Sequence, residues 1–109
     1  IDEYLIDIGA DVNKKSKDGD TPLILAYQKS DISLVYYLVE HGADINLGDK
    51  NKNTPLLLAC QKVDKTMIKY FIAQGADVNI RNRKGDTPLS ITYKNKDDDM
   101  VNYLMEHGA

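Results

Sequence analysis

Apolar side chains recur along this chain every 33 residues, and within each period they fall at helical spacing. Leu25, Leu58 and Ile91 align, as do Leu34, Met67 and Met100. The same holds for Val35, Ile68 and Val101, and for Leu38, Phe71 and Leu104. Three periods with no insertion mark a repeat architecture. Each period predicts two helices. The first is short, over about 22–29, 55–62 and 88–95, and opens on Thr-Pro-Leu at 21–23, 54–56 and 87–89. There the threonine caps the helix by accepting from a backbone N–H, and proline takes the first helical position, where no donor is lost. The second helix follows over about 32–41, 65–74 and 98–107, with apolar residues at i, i+3 and i+4. It ends at Gly42, Gly75 and Gly108, where positive φ costs nothing.

The ten or so residues after each glycine are rich in Asp, Asn, Lys and Gly, as a turn or hairpin requires. One helix pair of this kind cannot bury its apolar side alone, so neighbours must stack into a continuous core. The pattern therefore predicts an all-α solenoid of stacked helix–turn–helix repeats with finger-like loops. The whole of 1–109 reads as one repeat domain, with 1–8 as the end of a partial repeat. Full periods follow over 9–41, 42–74 and 75–107, and 108–109 begin another.

These motifs resemble the ankyrin repeat. The match runs through Asp18-Gly19-Asp20-Thr21-Pro22-Leu23 and Gly85-Asp86-Thr87-Pro88-Leu89. It also covers Gly9-Ala10-Asp11-Val12-Asn13, Gly42-Ala43-Asp44-Ile45-Asn46 and Gly75-Ala76-Asp77-Val78-Asn79. The resemblance implies an L-shaped stack that recognises other proteins through its fingers and concave face. Four departures change the expected shape. The family histidine after Thr-Pro-Leu is Ile24, Leu57 and Ser90, which removes its bonds between loops. The Gly-His between helices is Ser30-Asp31, Val63-Asp64 and Lys96-Asp97, which predicts loss of a positive-φ turn and gain of an aspartate cap. The glycine of the second finger is Lys52, which challenges its hairpin geometry. A small alanine position holds Tyr27, Cys60 and Tyr93, which predicts looser or tilted packing.

Composition narrows the function. The chain is 42% hydrophobic and 28% charged, so it is not of the disordered class. No apolar run reaches the roughly 18 residues of a membrane span, and no targeting segment is visible. The first residue is Ile1, which reads as a cut or processed end. A lone cysteine and two histidines build neither an internal disulfide nor a zinc site, and this usage fits a reducing, intracellular, cytoplasmic setting. Net charge is −3, which disfavours nucleic acid and acidic membrane as partners. That charge is segregated. The finger stretches 14–20, 47–53 and 80–86 carry eight cations against four aspartates, so the rest of the chain is acidic.

Polar fingers suit any solvated hairpin, but a basic edge also suits an acidic protein partner. The residues expected at such a surface are Lys15, Lys17, Asp18, Asp20, Gln28, Lys29, Lys50 and Asn51. Asn53, Gln61, Lys62, Arg81, Arg83, Lys84, Asp86 and Lys94 complete the set. A tyrosine recurs in every second helix, at Tyr4, Tyr37, Tyr70 and Tyr103, and predicts a ladder of rings along the array. His41 and His107 lie two periods apart, too distant to share a metal, and each reads as a cation at a helix C-terminus. Asp97-Asp98-Asp99 reads as an N-cap and solvated turn, and Cys60 as a core thiol. No phosphate loop, nucleophile elbow or metal motif is present, so no catalytic residue, metal or cofactor is expected.

The sequence thus predicts a protein-binding module. The alternative is a spacer or regulatory segment of a longer array or multidomain protein. No repeat has the polar outer face of a cap, so the isolated chain is expected to fray or to associate end to end.

Overall fold

The computed structural model describes Lys15 and residues 17–109. The expected second-helix tail at 1–8, Tyr4, the first Gly-Ala motif and Lys14 lie outside the described residues. The described residues hold six helices in pairs. They are α1 (Pro22–Gln28), α2 (Ile32–Glu40), α3 (Pro55–Gln61), α4 (Lys65–Ala73), α5 (Pro88–Lys94) and α6 (Asp98–Glu106). Each is one residue shorter than its sequence pattern, because the final residue in each case is the C-cap. The partner helices of each pair pack on one another, and α3 packs against both α1 and α5. The stack measures 42 × 24 × 21 Å, elongated as a solenoid must be.

The start signals act as predicted. Thr21, Thr54 and Thr87 accept from the backbone N–H of Ile24, Leu57 and Ser90 at 3.1–3.3 Å. Asp31, Asp64 and Asp97 do the same for α2, α4 and α6. Such a cap stabilises a helix by about 1 kcal/mol. Gly42, Gly75 and Gly108 follow the second helices at φ 96–104°. The N–H of Gly42 bonds to the Val39 carbonyl and that of Ala43 to Leu38, a Schellman ending that leaves few orphan carbonyls.

The core runs through the stack without a break. Leu38, Phe71 and Leu104 are fully buried, as are Val35 and Ile68. Ile24 and Leu57, standing where the family has histidine, are buried too. Tyr27 and Cys60, where looser or tilted packing is expected, are not loosely covered, being 2% and 0% exposed. Tyr27 fits because its ring meets Phe71 of the next repeat edge-on at 5.6 Å, and its hydroxyl donates to Asp64 Oδ2 at 3.0 Å. Their counterpart Tyr93, in the third described repeat, is 75% exposed.

Two further expectations are corrected by the backbone. The positive-φ turn between helices is kept even though its glycine is gone. Ser30, Val63 and Lys96 adopt φ 60°, 55° and 56°. The turn survives because each closes a second Schellman-type ending, with Val63 N–H on the Cys60 carbonyl and Asp64 N–H on Ala59. The second finger also keeps its hairpin, with Lys52 at φ 61°. The glycine has in effect changed places. A Cβ at Gly48 would lie 2.7–2.8 Å from the Lys52 backbone, whereas the third finger sets Arg81 and Gly85 at these two positions.

A left-handed conformation costs a β-branched residue more than any other, about 1–2 kcal/mol. Val63 is half exposed and has little packing to lose. Val63→Gly is therefore expected to raise unfolding free energy by about 1 kcal/mol, after the entropy glycine adds to the unfolded chain. Urea denaturation checks this, and an unchanged or lower midpoint would contradict it.

Candidate functional site

The fingers are built on one repeated turn. Asp49 Oδ1 accepts from the N–H groups of Asn51 and Asn53 at 2.8 and 3.0 Å. Asn82, 33 positions on, accepts from Lys84 and Asp86 at 2.9 and 3.0 Å. Short polar side chains that bond their own backbone in this way fix a turn without a sheet. The fingers are also bonded to each other, by groups other than the missing histidine. Asn82 Nδ2 donates to Asn53 Oδ1 at 2.8 Å, and Arg83 N–H to the Asn51 carbonyl at 2.9 Å. The Arg83 side chain adds a bond from Nε to the Lys50 carbonyl. Fingers two and three therefore form one surface.

Between these fingers and the ends of α3 and α5 lies an open cleft of about 390 Å³. Asn51, Asn53, Arg83, Lys84 and Asp86 line it from the fingers, and Gln61 and Lys94 from the last residues of the two helices. Seven of the residues named from sequence thus meet in one place. The same contact recurs across both walls in two chemistries. Gln61 Nε2 donates to Asn53 Oδ1 at 3.3 Å, and Lys94 Nζ lies 3.3 Å from Asp86 Oδ1.

The remaining candidates fall elsewhere. Lys15, Lys17, Asp18, Gln28, Lys29, Lys50 and Arg81 are exposed, and Asp20 is half-buried, but none lines the cleft. Lys62 has a packing role, with Nζ 4.6 Å from the centre of the Tyr27 ring. Sequence reasoning missed Asn82, Ile91 and Asn95, which complete the lining. Asn82 is buried and Asn95 is a C-cap whose Nδ2 donates to the Cys60 carbonyl at 3.2 Å. The signal that could have found them is register, since Asn82 aligns with Asp49 and Asn95 with Lys62.

The tyrosine ladder needs correction. Tyr37 and Tyr103 stack instead on His41 and His107 one turn on, at 3.9 and 4.1 Å. Each of these histidines points Nδ1 at the tyrosine's own carbonyl, 2.7 Å away, and serves as the helix C-cap. The contact between repeats is offset by one residue. Tyr36 meets Tyr70 edge-on at 4.8 Å, and Lys69 Nζ lies 5.5 Å from the Tyr103 ring. Position 36 of one repeat thus covers position 70 of the next, a step of 34 rather than 33, because equivalent side chains on neighbouring helices point the same way and a contact needs residues on facing sides.

The aspartate run caps α6 and pairs across the repeat boundary. Lys65 Nζ lies 3.8 Å from Asp97 Oδ1 and 3.6 Å from Asp99 Oδ2. Lys65 and Asp99 are largely exposed, so these pairs add little stability. Among the described residues no group of three His, Cys, Asp or Glu is placed to hold a metal, and no helix is long and apolar enough to cross a membrane. Cys60 is buried, and burial, helped by the Asp97 charge, pushes its thiol up to about 12. Burial also raises Tyr27, reinforced by its bond to Asp64. Neither group is suited to act as a nucleophile or acid.

The family model for ankyrin repeats in three copies matches this chain over residues 1–82 and 42–109. No curated protein matches it.

The raised groups set an alkaline limit. In the unfolded chain Cys60 and Tyr27 ionise near their ordinary values of 9.0 and 10.0, while in the folded chain both stay protonated well beyond. Stability from these two groups is complete below pH 9 and falls as pH rises above it, since the unfolded state then binds fewer protons. Urea midpoints are expected to drop between pH 9 and 11, and less steeply in a Cys60→Ala, Tyr27→Phe double variant. Parallel slopes would refute the assignment.

Proposed function

The chain belongs to the ankyrin repeat family, whose members are in general protein–protein interaction modules, and from this premise we propose that it binds a protein partner through its second and third fingers and the adjoining helix ends. The observation that carries this reading is the cleft, where finger and helix residues converge on one polar, positively charged surface. Arg83 and Lys84 are exposed there and have no carboxylate partner among the described residues. Cations held in this way favour a partner with an acidic surface and speed its association. The same reading gives no role to a catalytic residue or cofactor, and the buried thiol suits a reducing, intracellular compartment.

An affinity capture from cell lysate tests it, with the chain compared against an Arg81→Glu, Arg83→Glu, Lys84→Glu variant. A protein retained by the first and lost with the second is the expected result. An identical set on both would remove the fingers from the binding surface.

A second reading is favoured by a different observation. Tyr93 and Met105 are 75% and 57% exposed, on the third described repeat, whereas Tyr27 in the same register as Tyr93 is covered by its neighbour. This face is built to be covered by another repeat, in a spacer or longer array, or by another copy. The chain is expected to self-associate with rising concentration in sedimentation velocity, and Tyr93→Glu to reduce this. A single species at all concentrations would overturn it.

A further inference from the structure

The composition of the cleft points to the kind of partner it takes. Of its ten lining residues only Ile91 is apolar, and Ile91 is itself buried. An amphipathic helix needs an apolar groove, and an aromatic hot spot needs an apolar pocket. This cleft offers neither. Half of its lining is side-chain amide instead.

Some of those amide atoms are already engaged. Asn53 Oδ1 accepts from both Gln61 and Asn82, and Asn82 Oδ1 accepts from two backbone N–H groups. Others have no partner among the described residues, including Gln61 Oε1, Asn95 Oδ1 and both polar atoms of the Asn51 side chain. An amide that can donate and accept matches a peptide unit, which does the same. A helical partner has spent its main-chain groups internally, whereas an extended one presents them. Beside these amides stand the guanidinium of Arg83 and the ammonium of Lys84. Asp86, the one carboxylate in the lining, is already held by Lys94.

We propose that this cleft binds an extended acidic peptide segment, its main chain bonded by Asn51, Gln61 and Asn95 and its carboxylates by Arg83 and Lys84. The inference rests on the binding-module reading above and narrows it. A carboxylate on Arg83 can bond two N–H groups at once, which fixes direction as well as charge.

The test is an NMR titration of the labelled chain with a peptide of alternating Glu and Thr, a composition that stays extended. Saturable shifts confined to Asn51, Gln61, Arg83, Lys84, Asn95 and their neighbours are expected. An Arg83→Glu, Lys84→Glu variant, whose folding the same spectra report, is expected to lose them. The discriminating probe is an ester analogue of the peptide, equal in charge but with alternate backbone N–H groups replaced by oxygen. Its affinity is expected to fall on the order of tenfold or more. Equal binding of the ester analogue, or of inorganic polyphosphate, would overturn main-chain recognition in favour of charge alone. No response to the peptide, while the lysate capture still retains a protein through the fingers, would overturn the proposal and leave the binding-module reading standing. No response in either experiment would remove both.

Discussion

Everything in this molecule depends on the fact that a single pair of short helices cannot cover its own apolar face. The first helices have only seven residues, too few to persist alone in water. They persist because α3 is packed on both sides, against α1 and α5, and because residues such as Phe71 lose all contact with solvent in the process. Each fully buried side chain of that size contributes about 1.5–3 kcal/mol, which outweighs what any single loop feature costs or gains. This explains the rigid period of 33. An inserted residue would rotate a helix out of phase with both neighbours, so variation is confined to the identity of side chains.

That surplus also explains how the chain tolerates strain. Among the described residues four other than glycine sit at positive φ, one in a finger and three between helices. The three between helices are each followed by an aspartate that caps the next helix. A cap is worth about as much as the strain costs, so the pair is close to neutral and the turn geometry is preserved. The second finger makes a different exchange. Lys52 takes the strained position, and Gly48 clears the space that Lys52 needs.

The fold was legible because its signals are local and repeated. Thr-Pro caps, terminal glycines and helical periodicity each act within one repeat, and each appears three times. What was not legible depends on contact between repeats. Losing the histidine at position 24 and its equivalents suggested unlinked loops, yet Asn82 bonds to Asn53, 29 residues earlier, and the neighbouring Arg83 to Asn51. Asn46 and Asn79 likewise reach across to the Gly75 and Gly108 carbonyls, a stitch hidden within the Gly-Ala-Asp-x-Asn motif. Among the described residues the tyrosine ladder gave way for the same reason, since alignment at 33 says which residues are equivalent and not which ones touch. The candidate surface was half visible. Polar positions at finger tips and helix ends could be named, but only folding decides that Gln61 and Lys94 meet the fingers while Lys62 turns to cover Tyr27.

Where equivalence between repeats is broken, the chain becomes particular. Tyr27 donates to Asp64, and the same positions one repeat later are Cys60 and Asp97. A thiol is too short to replace the phenol, and Asp97 Oδ2 is left buried with no hydrogen-bond partner among the described residues. This second boundary is therefore poorer in polar contacts inside the stack, while outside it carries the Lys65 pairs and the bonded fingers. The cleft opens at the same boundary, above Cys60, whose carbonyl is bonded by the cleft residue Asn95. A small residue in the core and a set of amides at the rim therefore stand at one boundary, joined by the bond from Asn95 to the Cys60 carbonyl. What distinguishes the surface at this boundary is its own lining, five side-chain amides beside Arg83 and Lys84, while the lost interior bond lies beneath it at Cys60 and Asp97.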